Sequence, residues 1–321
     1  MSTEMAISGM GVISPLGTEK ERFLQAFRQK GISSEEQAKF SGMEPGRLTD
    51  LLGIRDPKLK IARYLDPTAK NVIVALDITM AEAGIRSEDI AADPYGYGIV
   101  LGAVRGPRAT RLKAYEMLRA KGGKILSSTL FSNFGYNIAG AMAAIAHGVK
   151  GPNLTISGKD DLALSLFRRA RQLLQGNRAH TIFCGFSEAD GATFDPQRPF
   201  SESACIFCLE LEGHARQRRR AGLFRVTASE IQCRSRFHPP EGLTKGVVQG
   251  EDSPPAPVHP NKGGVQEEAM ANTLGLQEEF MPFIRLGMCL FDREGISEGQ
   301  CSHVPVMSRS GGGFLSLAPS Q

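Results

Sequence analysis

Acidic side chains at a helix start, a few thiols and scattered imidazoles are the groups in this chain that could do chemistry. Residues 151–167, GPNLTISGKDDLALSLF, have the form of a short strand, a tight turn and a helix, with Asp160 and Asp161 where the helix begins. A helix N-terminus lowers a thiol's pKa and offers N–H groups to an oxyanion, so such a turn can present a nucleophile. Here it presents carboxylates. Asp160 reads first as an N-cap, the role Asp favours at this position. The alternative, that Asp160 attacks an acyl group itself, is chemically allowed. It is disfavoured because helix amides that stabilise the carboxylate also weaken it as a nucleophile.

The thiols are Cys184, Cys205, Cys208, Cys233, Cys289 and Cys301. Cys205 and Cys208 form a CxxC, but zinc needs a second pair at comparable spacing, and Cys289 and Cys301 do not supply one. No metal is expected. Cys184, in HTIFCGF, reads as a core thiol. His214 lies in a basic stretch that includes Arg216, Arg218, Arg219 and Arg220, where a solvated helix face is the default. Gly9, Gly11 and Gly17 lack the dinucleotide spacing, so no nicotinamide site and no other cofactor is expected.

The elements that must position these groups alternate. Strand-like runs at 5–13, 97–104, 153–157, 180–186, 203–212 and 224–233 are interleaved with helical periods at 19–29, 68–84, 109–121, 134–147 and 161–175. In 68–84, Ala69, Val72, Ile73, Leu76, Met80 and Ala83 recur at helical spacing, and Gly84 suits a C-cap. This alternation predicts an α/β layered fold with a largely parallel sheet. Six prolines and several glycines mark 234–264 as a loop, a helix-like piece follows at 265–280, and 304–319 reads as strand, Gly-rich turn, strand.

At 321 residues, 41% hydrophobic and 22% charged, with net charge +4, the chain is of ordinary globular composition. The charge is too small to argue for nucleic acid, and the absence of Trp and the few Tyr do not suit base stacking. No run approaches the ~18–20 apolar residues of a membrane span. Sparse thiols and no secretory pattern favour a cytoplasmic, reducing location.

Several stretches, in order, resemble the β-ketoacyl synthase branch of the thiolase-like fold. They are GMGVISPLG (9–17), YLDPTAKNVIVALDITMAEAGI (64–85), IVLGAVRG (99–106), NIAGAMAAIAHGVKGPNLTIS (137–157), RRARQLLQGNRAHTIFCGFSEA (168–189) and RPFSESACIFCLELEGHARQRRRAG (198–222). The resemblance implies a ketosynthase-like N-terminal domain over 1–233, well kept. A Pro/Gly-rich loop over 234–264 and a shortened C-terminal portion over 265–321 would follow.

The departures bear on function. Where the family's elbow holds its cysteine, this chain has Asp160, flanked by Lys159 and Asp161. Only His259 lies near the family's first catalytic histidine; the second histidine and its lysine have no counterpart, and the terminal glycine loop is echoed only as Ser310–Phe314. Loss of the cysteine resembles the chain-length factors of type II polyketide and aryl-polyene synthases. That implies a non-catalytic partner that pairs with an active ketosynthase as a heterodimer through the strand 153–157 and serves an acyl carrier protein.

By the same resemblance, the helix matching 107–118 would close the partner's acyl tunnel, with Thr110, Leu112, Ala114 and Tyr115 as gate residues. Its many cations equally suit a plain surface helix. Arg218, Arg219 and Arg220 could steer an acidic carrier protein. The alternative is an enzyme of the same fold, an acyltransferase or decarboxylase acting on acyl thioesters with other residues.

Overall fold

The computed structural model describes residues 5–28, 48–55, 58, 65–121, 128–158, 162–190, 201–218, 224–227, 302–308 and 311–318. Along the chain these form β1 (Met5–Ile13), α1 (Lys20–Arg28), α2 (Leu48–Leu51), α3 (Pro67–Ala83), α4 (Ser87–Ala92), β2 (Tyr97–Ala103), α5 (Arg108–Lys121), α6 (Ser128–Ser132) and α7 (Ile138–His147). They continue with β3 (Asn153–Ser157), α8 (Leu162–Gln175), β4 (Thr181–Asp190), β5 (Ser201–Leu211), α9 (Glu212–Gln217), β6 (Phe224–Thr227), β7 (Ser302–Ser308) and β8 (Gly311–Ala318). The expected helix at 134–147 begins later, as α7, behind a separate turn of helix, α6. The loop at 234–264 and the helix-like piece at 265–280 lie outside the described residues.

The strands form one sheet in the order β3-β2-β4-β5-β1-β6-β8-β7. It is mixed rather than largely parallel: β2 pairs in parallel with β3 and β4, whereas β4/β5, β5/β1, β1/β6, β6/β8 and β8/β7 are antiparallel. The reason lies in the connections. A parallel neighbour needs a crossover of a dozen or more residues, usually a helix, and α5 to α8 supply such crossovers between β2, β3 and β4. Between β4 and β5 only residues 191–200 intervene. The C-terminal hairpin β7–β8 joins the same sheet through β6, and the glycines read as a turn, Gly311–Gly313, belong to β8.

Helix α3 is the packing centre of one sheet face. Asp66 caps its first turn, Pro67 fits the N-terminal turn where no N–H is needed, and Gly84 ends it in the left-handed region at φ 62°. Its apolar residues, Val72, Ile73, Leu76 and Met80 among them, join Ile99, Phe183 and Ile206 in the core. Gly9 and Gly11 of β1 allow the contact: a Cβ on Gly11 would lie 2.1 Å from the Ala75 carbonyl oxygen, and one on Gly9 2.8 Å from that of Thr79. The N-terminal Gly-x-Gly is therefore a strand–helix approach. On the other face lies α8, which buries Leu162, Leu166, Phe167, Ala170 and Leu174 and leaves Arg168 and Arg169 exposed.

Candidate site at the C-terminal strand ends

Because β2, β3 and β4 run parallel, their C-terminal ends lie at one edge of the layer, with Ala103 level with Ser157 and Gly102 level with Phe186. Ligand sites of parallel α/β sheets form at such ends. β3 ends at Ser157, Gly158 follows it, and α8 begins at the buried Leu162. The GPN turn that feeds this strand is held tightly. The Gly151 N–H donates to the Tyr97 carbonyl at 3.1 Å, and a Cβ there would lie 2.1 Å from that oxygen. The Asn153 side-chain amide donates to the Gly140 carbonyl at 2.9 Å, tying β3 to the first turn of α7. Gly102 lets α8 sit directly on β2, since a Cβ there would meet Leu166 at 2.8 Å.

Asp160, with Lys159 and Asp161, lies outside the described residues, as do His259, Arg219 and Arg220. The four residues expected at the gate from the resemblance are described. Thr110 and Ala114 occupy the buried face of α5, Leu112 is half-buried, and Tyr115 is 66% exposed. Thr110 is fully engaged: its N–H and hydroxyl both donate to Asp66 Oδ2, at 3.2 and 2.7 Å.

A second carboxyl reaches this end of the sheet. Glu188, near the end of β4, is 1% exposed and its Oε1 accepts the Val104 N–H at 2.7 Å and the Arg105 N–H at 3.3 Å, both just beyond β2. Its Oε2 is buried without a partner among the described residues. Burial pushes its pKa up to about 7 despite the two backbone donors. The resemblance over 168–189 sets this strand end against the family's GG-x-E turn and gives Glu188 no role. A Glu closing an apolar strand is the signal that could have singled it out.

The other candidates sit elsewhere. The CxxC lies on β5, where residues three apart face opposite sides, so its two sulfurs do not converge. Cys184, Cys205 and Cys208 are buried free thiols, and burial pushes all three pKa values up. No group of three or more metal-binding side chains occurs among the described residues.

His214 and Arg218 are at the opposite end of β4, beside His180, whose ring stacks on that of His214 at 4.3 Å. Both converge on buried Glu210. His214 Nδ1 is 2.9 Å from Oε1, and the Arg218 guanidinium donates to both oxygens at 2.9 and 2.8 Å. Burial would raise Glu210, but these bonds outweigh it and hold its pKa down to about 2. The carboxylate partner of His214 is not evident from the resemblance; Glu210 at the end of β5 supplies it.

No helix among the described residues is long and apolar enough to cross a membrane. A search among curated proteins returns no match. Among solved structures the chain is similar to the AntDE:AntF complex, a type II PKS acyl-carrier protein in complex with its ketosynthase bound to the hexaketide. The TM-score is 0.65 at 14% identity, over 99% of this chain and 100% of that one. It is also similar to the ishigamide ketosynthase/chain length factor, with TM-score 0.64 at 17% identity over 99% of both chains. A β-ketoacyl synthase from Burkholderia phymatum STM815 matches at TM-score 0.51 and 15% identity, over 70% of this chain and 63% of that one. These likenesses establish a thiolase-like ketosynthase fold. The family of the β-ketoacyl synthase N-terminal domain matches residues 2–194, more than half of the chain, and the protein belongs to that family.

Proposed function

We propose that this chain is a non-catalytic, chain-length-factor-like subunit. It pairs with an active β-ketoacyl-acyl-carrier-protein synthase in type II polyketide, polyene or fatty acid chain assembly and shapes the length of the product. The observation that carries the reading is Asp160, a carboxylate where the family's nucleophilic sulfur belongs. Condensation needs a thiolate to take the acyl chain. The described thiols are no substitute, because each is buried in the sheet with its pKa raised.

The edge of the sheet supports pairing. Among the described strands β3 is the outermost, and Asn153, Leu154 and Ser157 on it are exposed. An apolar edge strand is a template for strand addition. Neighbours of the same fold are a ketosynthase with its chain length factor and a ketosynthase complexed with an acyl-carrier protein, which is the company this reading assigns to the chain. Helix α5 would be the gate. Thr110 and Ala114 seat it, while Leu112 and Tyr115 face outward toward a partner's acyl tunnel. Carrier docking is assigned to Arg218–Arg220, with the steering left to Arg219 and Arg220 because Arg218 holds Glu210.

The test is co-expression with an active ketosynthase and a carrier protein. The expected result is a 1:1 complex whose product length changes with Tyr115→Ala, and no condensation by this chain alone. Elongation of a malonyl-primed substrate by the isolated chain would overturn the reading. So would a covalent acyl adduct in its intact mass, which instead indicates an acyltransferase.

A further inference from the structure

We propose that Glu188 is a positioning residue of the α5 gate: its carboxyl sets the loop from which α5 starts, and so how far the helix reaches toward a partner's acyl chain. This rests on the chain-length reading above and adds a residue and a control to it.

The geometry runs in one chain of contacts. Glu188 Oε1 gathers the N–H groups of Val104 and Arg105 at 2.7 and 3.3 Å, the first residues after β2. The carbonyl of Arg105 accepts from the Arg111 guanidinium on α5, and that guanidinium lies 5.0 Å from the ring centroid of Tyr136. Gly106, between them, has φ +60°, and a Cβ there would lie 2.9 Å from the same ring. The loop is thus pinned by a carboxyl at one end and an aromatic ring at the other. Glu188 Oε2, meanwhile, is buried without a partner among the described residues, as is the hydroxyl of Ser203 directly across on β5. Both atoms belong to the end of the sheet where β2, β3 and β4 finish.

Such a clamp responds to protons. Among the described residues the charged groups acting on Glu188 are Arg105 from the loop and Asp66 from the α3 cap; residues 159–161 lie outside them. Neutral, the carboxyl tolerates its dry setting. Ionised, it gains by any opening of the loop that admits water to Oε2. By linkage, opening then becomes easier as pH rises. Glu188→Gln keeps an amide oxygen for the two N–H groups and cannot ionise.

The experiment has two readouts. In the full wild-type chain, amide exchange over residues 103–107 should accelerate between pH 6 and pH 8 by about tenfold beyond the base-catalysed increase common to all amides. Glu188→Gln should remove that excess. In the complex with an active ketosynthase, the product-length distribution should differ between pH 6 and pH 8. Glu188→Gln should give the pH 6 distribution at both.

An excess absent from wild type overturns the proposal without recourse to any variant. If Tyr115→Ala shifts product length but Glu188→Gln leaves the pH dependence intact, the proposal fails and the chain-length reading stands. If Tyr115→Ala shifts nothing, the chain-length reading fails. The exchange result then shows only whether Glu188 holds the loop.

Discussion

Asp66 and Thr110 are joined twice, although forty-four positions separate them: one carboxylate oxygen accepts both the backbone N–H and the hydroxyl of Thr110. The other oxygen accepts the N–H and hydroxyl of Thr68, at 3.0 and 2.6 Å. A single fully buried carboxylate therefore caps α3 and fastens the first turn of α5 to it. This fixes α5 against the helix that packs the core.

Replacing Asp66 with Asn puts an amide donor in place of one of two acceptor oxygens, against donors already present. A buried donor without an acceptor costs about 1–3 kcal/mol. Asp66→Asn should lose about 2 kcal/mol in urea unfolding, and Thr110→Val about 1 kcal/mol. Because the two share one network, the double variant should lose less than the sum. Additive losses would show that the contact is energetically idle.

Glu210 and Arg218 form the buried ion pair at the far end of β4. Removing one partner of such a pair costs about 3–5 kcal/mol, because a charge is left alone in a dry site. Arg218→Ala should fall at the lower end of that range, since His214 still faces Glu210. The pH dependence has a definite sign. Glu210 is held at about 2 against an ordinary 4.5, so its contribution is complete above 4.5 and is lost as pH falls toward 2. The size is ~3 kcal/mol. Arg218→Ala should move the acid-unfolding midpoint to higher pH. Charge reversal at Arg219 and Arg220 should leave that midpoint in place.

The parts of the fold that are legible in the sequence are those set by local periodicity. The helix read at 68–84 from its apolar spacing and the Gly84 stop forms at 67–83, and the strand read at 153–157 forms there. The sheet's mixed sense is less legible, because hydrophobic runs carry no direction. Only the short 191–200 connection betrays the antiparallel turn from β4 to β5. Site chemistry that depends on distant pairing is hidden altogether. Asp66, which appears in the sequence only within the stretch 64–85, caps α3 and also anchors Thr110. Arg218 reads as part of a basic run and is the partner of a buried glutamate eight residues earlier. Such contacts are fixed by tertiary packing, which no local window contains.

Glu188 contributes to stability with the opposite sign to Glu210. Its pKa of about 7 exceeds the ordinary 4.5, so the native state keeps a proton that the unfolded state releases. Stability should therefore fall as pH rises from 4.5 to 7 and level off above, by up to ~3 kcal/mol. Glu188→Gln should flatten that decline. The two glutamates act in adjoining pH ranges, so urea midpoints collected from pH 3 to pH 8 on both variants separate them. A wild-type curve that rises between pH 5 and pH 7 and does so equally in Glu188→Gln would contradict the assignment.

The edge strand gives the prediction that divides folding from association. Among the described residues β3 pairs with β2 alone, and Leu154 stands 36% exposed on it, while Ile145 of α7 is 66% exposed. Neither side chain is needed to close the core built around α3. A charge at Leu154 should therefore change stability by no more than about 0.5 kcal/mol, the usual range for surface positions. The same charge would be carried into the pairing edge of a two-chain sheet, where lysine is a common device against strand addition. Leu154→Lys should thus keep the urea midpoint of the isolated chain and abolish its co-purification with an active ketosynthase. Retained co-purification would place the interface elsewhere, and a collapsed midpoint would show that β3 belongs to the core rather than to its edge.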